Sequence, residues 1–166
     1  MSHIYFGELD NDSIVFRVHV IGDDVPTSSG PLGENPKHVD GEAYCRSLFK
    51  NTNQFKQTAK DSSYRNKFAA KGDFYDADKD AFISPQSYPS WNLNQVEGKW
   101  IWQPPKSPPT PNQPSLRQYT FTNDENVEVT AYYDMEWDED NLRWKATKND
   151  GSTLYWNNDT NQFIED

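Results

Sequence analysis

Three carboxylates stand at alternate positions near the middle of this 166-residue chain. Asp76, Asp78 and Asp80 match the first, third and fifth places of a calcium loop, where carboxylates can converge on a hard cation. The match then fails, because Ala81 stands where the sharp turn requires glycine and Ser87 where the bidentate glutamate belongs. We therefore expect an Asp-rich hairpin turn whose carboxylates cap backbone amides, without a tight calcium site or a cofactor.

The histidines and the cysteine do not form a pattern typical of a reactive site. His3, His19 and His38 lack the short spacings that metal ligands usually show. The single cysteine, Cys45, lies in an apolar-periodic stretch and is typical of a small core residue. One cysteine also excludes an internal disulfide framework.

Paired acids such as Glu136 with Asp138, or Asp138 with Asp140, lie in a turn-like stretch. Two carboxylates can cleave glycosides only when an apolar environment raises the pKa of one of them. This stretch is polar, so we expect its acids to be solvated. The sequence also lacks the motifs of serine hydrolases and of nucleotide-binding loops. We predict that the protein is not an enzyme.

Tryptophan is the most informative residue type, because all six tryptophans lie after residue 90. Residues 91–100, 137–144 and 156–163 each place aromatics at both ends of a polar turn rich in Asn, Asp, Glu or Gly. Such segments predict β-hairpins. The aromatic residues that could form a binding surface are Trp91, Trp100, Trp102, Trp137, Trp144, Tyr155 and Trp156.

Two roles are open for these aromatics: they can pack on one another to stabilise the fold, or they can bind a ligand. Facing aromatics usually pack as cross-strand pairs, so we favour a structural role and expect Trp144→Ala to cost about 3–5 kcal/mol. Trp144 with Tyr155 and Trp156 also resembles the first two strands of a WW domain, and a choline-binding cell-wall repeat. The alternative function is therefore an aromatic β-hairpin module that binds a glycan or a proline-rich peptide.

The first half of the chain predicts a small sheet with a helix. Residues 4–9 and 13–21 alternate as two strands of a hairpin. A helix is predicted at about 38–50, with Asp40 as its N-cap. The helix positions predicted to share a face are Ala43, Tyr44, Ser47 and Leu48.

Three short strands are predicted next, at 55–58, 67–70 and 73–75, followed by a pair around a turn at 123–126. The predicted fold class is α+β: a small antiparallel sheet with one helix, followed by aromatic-rich β-hairpins, and mostly β overall.

Residues 103–114 contain six prolines, which favour an extended polyproline II conformation with little regular secondary structure. This stretch predicts a linker between an α+β unit at 1–102 and a β-hairpin unit at 115–166.

Composition limits the core and the partners. Leu, Ile, Val and Phe number 30 of 166 residues, while the net charge is -10. Six Trp and nine Tyr compensate, so we expect a thin, aromatic-rich core stabilised by a partner surface. The start lacks the basic and apolar segments of a signal peptide, and no apolar run is long enough to span a membrane.

Charge is distributed unevenly along the chain. Residues 121–166 hold twelve acids and three bases, whereas residues 44–71 hold seven bases and only Asp61 as an acid. An acidic protein is repelled by phosphates, so we expect no nucleic-acid partner. The basic stretch is either a solvated face or a contact for an acidic neighbour, including another copy.

A broader resemblance covers residues 40–144. The segments that carry it are 64–69, 75–94, 100–105 and 133–144, above all Tyr-Asp-Ala-Asp-x-Asp-Ala-Phe-Ile from Tyr75 and Pro-Ser-Trp at Pro89–Trp91. They resemble a family of small virion-associated proteins of marine tailed phages, cyanophages among them. Residues 147–166 look like an added hairpin.

The resemblance implies a non-enzymatic structural component of a virion, such as a head decoration, neck or tail-associated subunit. Its partners would be other virion proteins and further copies of itself, and its location would be the virion. The family offers no established catalytic residues to carry over.

Overall fold

A computed structural model describes residues 3–28, 30–32, 39–109 and 117–165. It confirms the predicted fold class, a mostly β protein with one helix and small antiparallel sheets. The helix α1 spans Val39–Phe49. The strands are β1 (His3–Leu9), β2 (Val15–Gly22), β3 (Pro26–Thr27), β4 (Gly30–Pro31), β5 (Gln54–Thr58), β6 (Phe74–Asp76), β7 (Ala81–Ile83), β8 (Asn92–Val96), β9 (Lys99–Gln103), β10 (Gln118–Thr122), β11 (Glu128–Tyr132), β12 (Asp134–Asp138), β13 (Arg143–Thr147), β14 (Thr153–Asn157) and β15 (Gln162–Ile164).

The chain divides into two units. The first comprises Met1–Gln86 and Leu93–Ile101, and the second comprises Ser87–Asn92 and Trp102–Asp166. The described part of the proline stretch, through residue 109, belongs to the second unit. No helix within the described ranges is long and apolar enough to cross a membrane.

The first unit is built around a three-stranded antiparallel sheet in the order β2-β1-β5. Its hairpin β1–β2 confirms the strands predicted at 4–9 and 13–21. Because strand side chains alternate, β1 contributes to two hydrophobic clusters, one on each face. The cluster on the helix side contains Phe6, Ile21, Leu32, Cys45 and Phe55. The cluster on the other side contains Leu9, Val15, Ala69, Tyr75 and Phe82.

The helix lies where the sequence predicts it, but its predicted buried face is wrong. Ala43, Ser47 and Leu48 are exposed, whereas Gly41 and Cys45 are buried. A β-carbon on Gly41 would stand 2.6 Å from the Leu32 side chain and 2.7 Å from the Phe6 ring. The helix therefore packs through two small residues, Gly41 and Cys45, which carry little hydrophobic signal in the sequence.

The strand predicted at 67–70 is absent from the structure. Arg65 and Asn66 have φ angles of 54° and 73°, in the left-handed region that does not continue into a strand. Asn66 binds the backbone instead: its Nδ2 donates to the carbonyls of Phe82 and Trp100, and its Oδ1 accepts from the Trp100 amide.

Some bases of the basic stretch at residues 44–71 form ion pairs within the first unit. The Arg65 guanidinium donates to Asp80 at 2.7 Å and to Glu42 at 3.3 Å. Lys56 also binds Glu42, and Lys67 binds Asp73. Three of the seven bases therefore satisfy buried or half-buried acids of the same unit.

The second unit contains an antiparallel meander in the order β12-β13-β14-β15 and a two-stranded ribbon of β10 and β11. The hairpins predicted at 137–144 and 156–163 are confirmed as β12–β13 and β14–β15. The strands predicted around the turn at 123–126 are confirmed as β10 and β11.

The buried carboxylate of Glu8 is the polar centre of the helix-side face. It accepts hydrogen bonds from His19 at 2.6 Å, from Asn51 at 2.7 Å and from Asn53 at 2.8 Å. Burial alone would raise the pKa of Glu8, but these three donors outweigh it and hold the pKa below its usual value of 4.5.

We predict that Gly41→Ala destabilises the protein. Leu32 and Phe6 are fully buried and cannot swing into solvent. The overpacking should cost about 1–3 kcal/mol, which exceeds the gain of about 1 kcal/mol from replacing a helical glycine. Urea unfolding measures the change. Ser47→Ala, on the exposed face of the same helix, is the control and should shift stability by less than about 0.5 kcal/mol. Equal stability of the two variants would contradict the packing described for α1.

We predict that Glu8→Gln weakens the dependence of stability on acid pH. The folded pKa of Glu8 is lower than the unfolded one, so its contribution is present above about pH 4.5 and is lost as the pH falls through the folded pKa. Urea unfolding between pH 7 and pH 3 should show a smaller loss for Glu8→Gln than for the natural chain. Asn53→Ala, which removes one donor, should fall between them. Identical pH profiles would show that Glu8 does not carry this dependence.

Candidate functional site

The Asp-rich segment forms the predicted hairpin turn, between β6 and β7. Asp76 accepts from the amide and the ammonium of Lys79, at 3.0 and 2.6 Å. Asp80 accepts from the guanidinium of Arg65 and from the Tyr75 hydroxyl, at 2.7 and 2.5 Å. These carboxylates thus bind donors of the protein itself. In the part of the chain that the structure describes, no group of three or more His, Cys, Asp or Glu side chains could hold a metal ion.

The other candidate reactive residues also have structural surroundings. Cys45 is fully buried, and burial raises the pKa of its thiol to about 12, which confirms a core residue. His19 binds Glu8 and its ring stacks on Phe49 at 4.0 Å between centroids. His3 is exposed in β1, and His38 lies outside the described residues.

The acids of the second unit are held by neighbouring donors. Glu136 forms an ion pair with Lys145 across the sheet. Hydrogen bonds from Asn141 hold the pKa of Asp138 below its usual range.

The tryptophans of the meander are cross-strand partners, as predicted. Trp137 on β12 stands opposite Trp144 on β13, with ring centroids 5.6 Å apart in an edge-to-face arrangement. Trp91 lies one residue before β8 and packs on both of them, at 6.5 and 6.3 Å, and Tyr88 packs on Trp91. Edge-to-face ring contacts contribute about 0.5–1.5 kcal/mol beyond area burial.

A carboxylate that the sequence analysis missed lies among these rings. Glu139 accepts from the amide and hydroxyl of Ser90, at 2.8 and 2.7 Å, and from the indole N–H of Trp137, at 2.8 Å. The loss of hydration would raise the pKa of Glu139, but these donors outweigh it and lower the pKa. Glu139 lies in the polar turn after Trp137, where no local pattern sets it apart, and only the contact with Ser90, 49 residues away, shows its role.

A second row of aromatic rings begins on β14 and β15 of the meander and ends on β10. Trp156 stands opposite Phe163, with centroids 5.1 Å apart. Phe163 contacts Tyr133 at 4.9 Å, and Tyr133 contacts Tyr119 at 4.9 Å. Trp156 is the buried member of this row, while Phe163, Tyr133 and Tyr119 are half-buried.

The structure does not gather all seven predicted binding aromatics into one surface. Trp137 and Trp156 retain only 4% and 5% of their exposure, so they belong to the interior. Tyr155 alternates with Trp156 and therefore faces the opposite side of the sheet, where the Arg143 guanidinium lies 3.4 Å from the centre of its ring. Trp100 belongs to the first unit, and Trp102 is half-buried in the second.

The clearest candidate site is where the second unit holds its own proline-rich backbone. We call Pro104–Pro109 the proline segment; it contains no helix or strand, as predicted, but it bends at Pro105, Lys106 and Pro109 and so departs from the extended conformation predicted for 103–114. Residues 110–114 lie outside the described residues. The indole N–H of Trp144 donates to the Lys106 carbonyl at 3.0 Å, and the Asn158 amide donates to the Ser107 carbonyl at 2.9 Å.

A third donor completes the arrangement. The Arg117 guanidinium donates to the Pro109 carbonyl at 3.0 Å, and Pro109 is fully buried. We call Arg117, Trp144 and Asn158 the carbonyl-binding surface. Of these three residues only Trp144 is predictable from the sequence. An Asn in a turn and an Arg before a strand show no pattern that distinguishes them from other polar residues.

A cavity of about 230 Å³ adjoins the carbonyl-binding surface. Lys106 lines it together with Arg143, Tyr155, Asn158 and Asp159. The cavity thus holds two bases, Lys106 and Arg143, beside one acid, Asp159, and the Arg143 guanidinium already covers the Tyr155 ring.

Comparisons of this chain with known protein families, with curated proteins and with solved structures found no match.

We predict that Trp144→Ala lowers the free energy of unfolding by about 3 kcal/mol, the low end of the range for large core aromatics, because Trp144 is half-buried. Trp144→Phe is the matched control: it retains a ring against Trp91 and Trp137 but loses the indole N–H. It should therefore cost about 1 kcal/mol, the net value of one hydrogen bond. Thermal and urea unfolding measure both changes. If Trp144→Ala left unfolding unchanged, the ring would be a surface feature and not part of the core.

Proposed function

We propose that this protein is a non-enzymatic structural subunit of a tailed-phage virion, a head decoration, neck or tail-associated component, and acts through protein–protein contacts. The resemblance in residues 40–144 supports the virion assignment. One structural observation supports the mode of action: the ribbon of β10 and β11 is suited to pairing with a strand from another subunit.

The ribbon is amphipathic. Tyr119 stands opposite Ala131, and Phe121 opposite Val129, so that one face is apolar and half-buried. The opposite face is exposed and carries Thr120, Thr122, Thr130 and Tyr132. Tyr132 retains 69% of its exposure, the highest value among the exposed large hydrophobic residues of the described chain.

The edges of the ribbon lack the usual protection. Within the described ranges, β10 and β11 pair only with each other. Neither strand contains lysine or proline, the residues that commonly block pairing at exposed edges. An open edge rich in threonine favours the addition of a strand from a neighbouring protein.

A second candidate function is a module that binds proline-rich peptides. It is favoured by the three hydrogen bonds from the carbonyl-binding surface to carbonyls of the proline segment. The two functions are compatible, since a structural subunit can use such a surface to hold a neighbour.

The virion assignment predicts that the chain is present in purified phage particles in a fixed copy number. Quantitative mass spectrometry of gradient-purified virions, from a phage that encodes this sequence, measures that number. A ratio to the major capsid protein that stays constant across preparations is expected. A ratio that falls towards zero with each purification step would contradict the assignment.

The ribbon is tested by adding lysines to its exposed face. Thr120→Lys with Thr130→Lys should lower the copy number at least about tenfold, which corresponds to a loss of only ~1.4 kcal/mol of binding free energy. Thr160→Lys, in the exposed turn between β14 and β15, is the control and should leave the copy number unchanged. Unchanged incorporation of the ribbon variant would show that another surface makes the contact.

A further inference from the structure

The proline segment is bound mainly through its backbone. Three side-chain donors bind the carbonyls of Lys106, Ser107 and Pro109, all within four consecutive residues. Four of the six residues of the segment are prolines, which cannot donate a backbone hydrogen bond, and the segment bends at Pro105, Lys106 and Pro109. Proteins commonly bind proline-rich peptides in grooves lined by aromatic side chains, and the Trp144 ring stands beside this segment together with the two other donors.

We propose that the carbonyl-binding surface is a peptide site for the proline segment, and that it accepts this segment from a second copy of the chain as well as from its own. The inference rests on the proposed function, and specifies one of the protein–protein contacts through which a virion subunit would act.

The second copy is the occupant that the structure favours. The ligand whose fit is visible is the segment itself, and every copy of the chain carries it. The bonds join side chains to carbonyls, so they are the same whether the segment comes from the same chain or from another. Only the covalent connection differs.

Concentration decides whether the surface binds the proline segment of its own chain or that of a second copy. A segment joined by a short connection acts at an effective concentration on the order of millimolar, so the bond within one chain prevails in dilute solution. Copies packed in a particle face each other at comparable concentrations, and exchange between neighbours then competes. The surface can in this way join subunits without forming any new type of contact.

Two full-length variants separate the segment from the surface. The segment variant, Pro105→Ser with Pro108→Ser, removes two prolines whose rings fix the backbone, but keeps the buried Pro109. The surface variant, Trp144→Phe with Asn158→Ala, removes two of the three donors. Circular dichroism in the near and far ultraviolet verifies that each variant is folded before binding is measured.

A fluorescent peptide with the sequence of residues 103–109 is titrated with each chain, and binding is followed by fluorescence anisotropy. The segment variant should bind the peptide at least about tenfold more tightly than the natural chain, a difference of ~1.4 kcal/mol. The surface variant should not bind it. Equal binding by the segment and surface variants would overturn the proposal. A shuffled peptide of the same composition that bound equally well would overturn its commitment to a second copy.

Mixing the two variants tests exchange between whole chains. The surface variant supplies an intact segment and the segment variant an intact surface, so the mixture should form a species of twice 19.3 kDa in sedimentation velocity, while each variant alone stays a monomer. A mixture that remains monomeric above the dissociation constant of the peptide would overturn the proposal. That result would leave the virion assignment untouched, because copy number in particles is measured independently.

Discussion

The scarcity of aliphatic side chains is the constraint on which the rest of the structure depends. With only 21 Leu, Ile and Val residues among 166, the chain cannot fill a core with branched side chains alone. The first unit meets this limit with three fully buried phenylalanines, Phe6, Phe55 and Phe82, on two sides of one small sheet. The second unit meets it with facing aromatics, of which Trp137 and Trp144 are the central pair. Large rings bury much area per residue, so few are needed.

A core of this kind brings polar atoms inside, and they must find partners. Each indole brings an N–H group into the core. A thin core also leaves acids such as Glu8, Glu42 and Glu139 close to the packed rings. Their hydrogen bonds are therefore part of the packing, since an unsatisfied buried polar group costs about 1–3 kcal/mol. The need of each indole N–H for a hydrogen-bond acceptor also links the core to the proposed binding site. Trp144 packs its ring inward and turns its N–H to the proline segment, so that one residue serves both the core and the candidate binding site.

The sequence predicts most of the strands because alternation and polar turns are local signals. The hairpins at β1–β2, β12–β13 and β14–β15 all follow from them. Prediction from the sequence fails where the residues that determine the structure are far apart along the chain or have small side chains. The strand predicted at 67–70 gives way to left-handed backbone at Arg65 and Asn66, whose partners lie as many as 34 residues away. The buried face of α1 was misassigned because Gly41 packs against Phe6, and a glycine carries no hydrophobic signal. Of the candidate site, Trp144 is predictable, whereas Asn158 and Arg117 become visible only when the proline segment is in place.

The central claim is that the Trp144 indole both packs in the core and binds the proline backbone. Hydrogen exchange of tryptophan indole protons, followed by nuclear magnetic resonance on the full-length chain, tests it most directly. The account predicts that the Trp144 indole proton exchanges slowly in the natural chain and much faster when Pro105 and Pro108 are replaced, while the proton of Trp137, bound to Glu139, keeps its protection in both. A Trp144 indole proton that exchanges as fast as that of free indole in the natural chain would contradict the account.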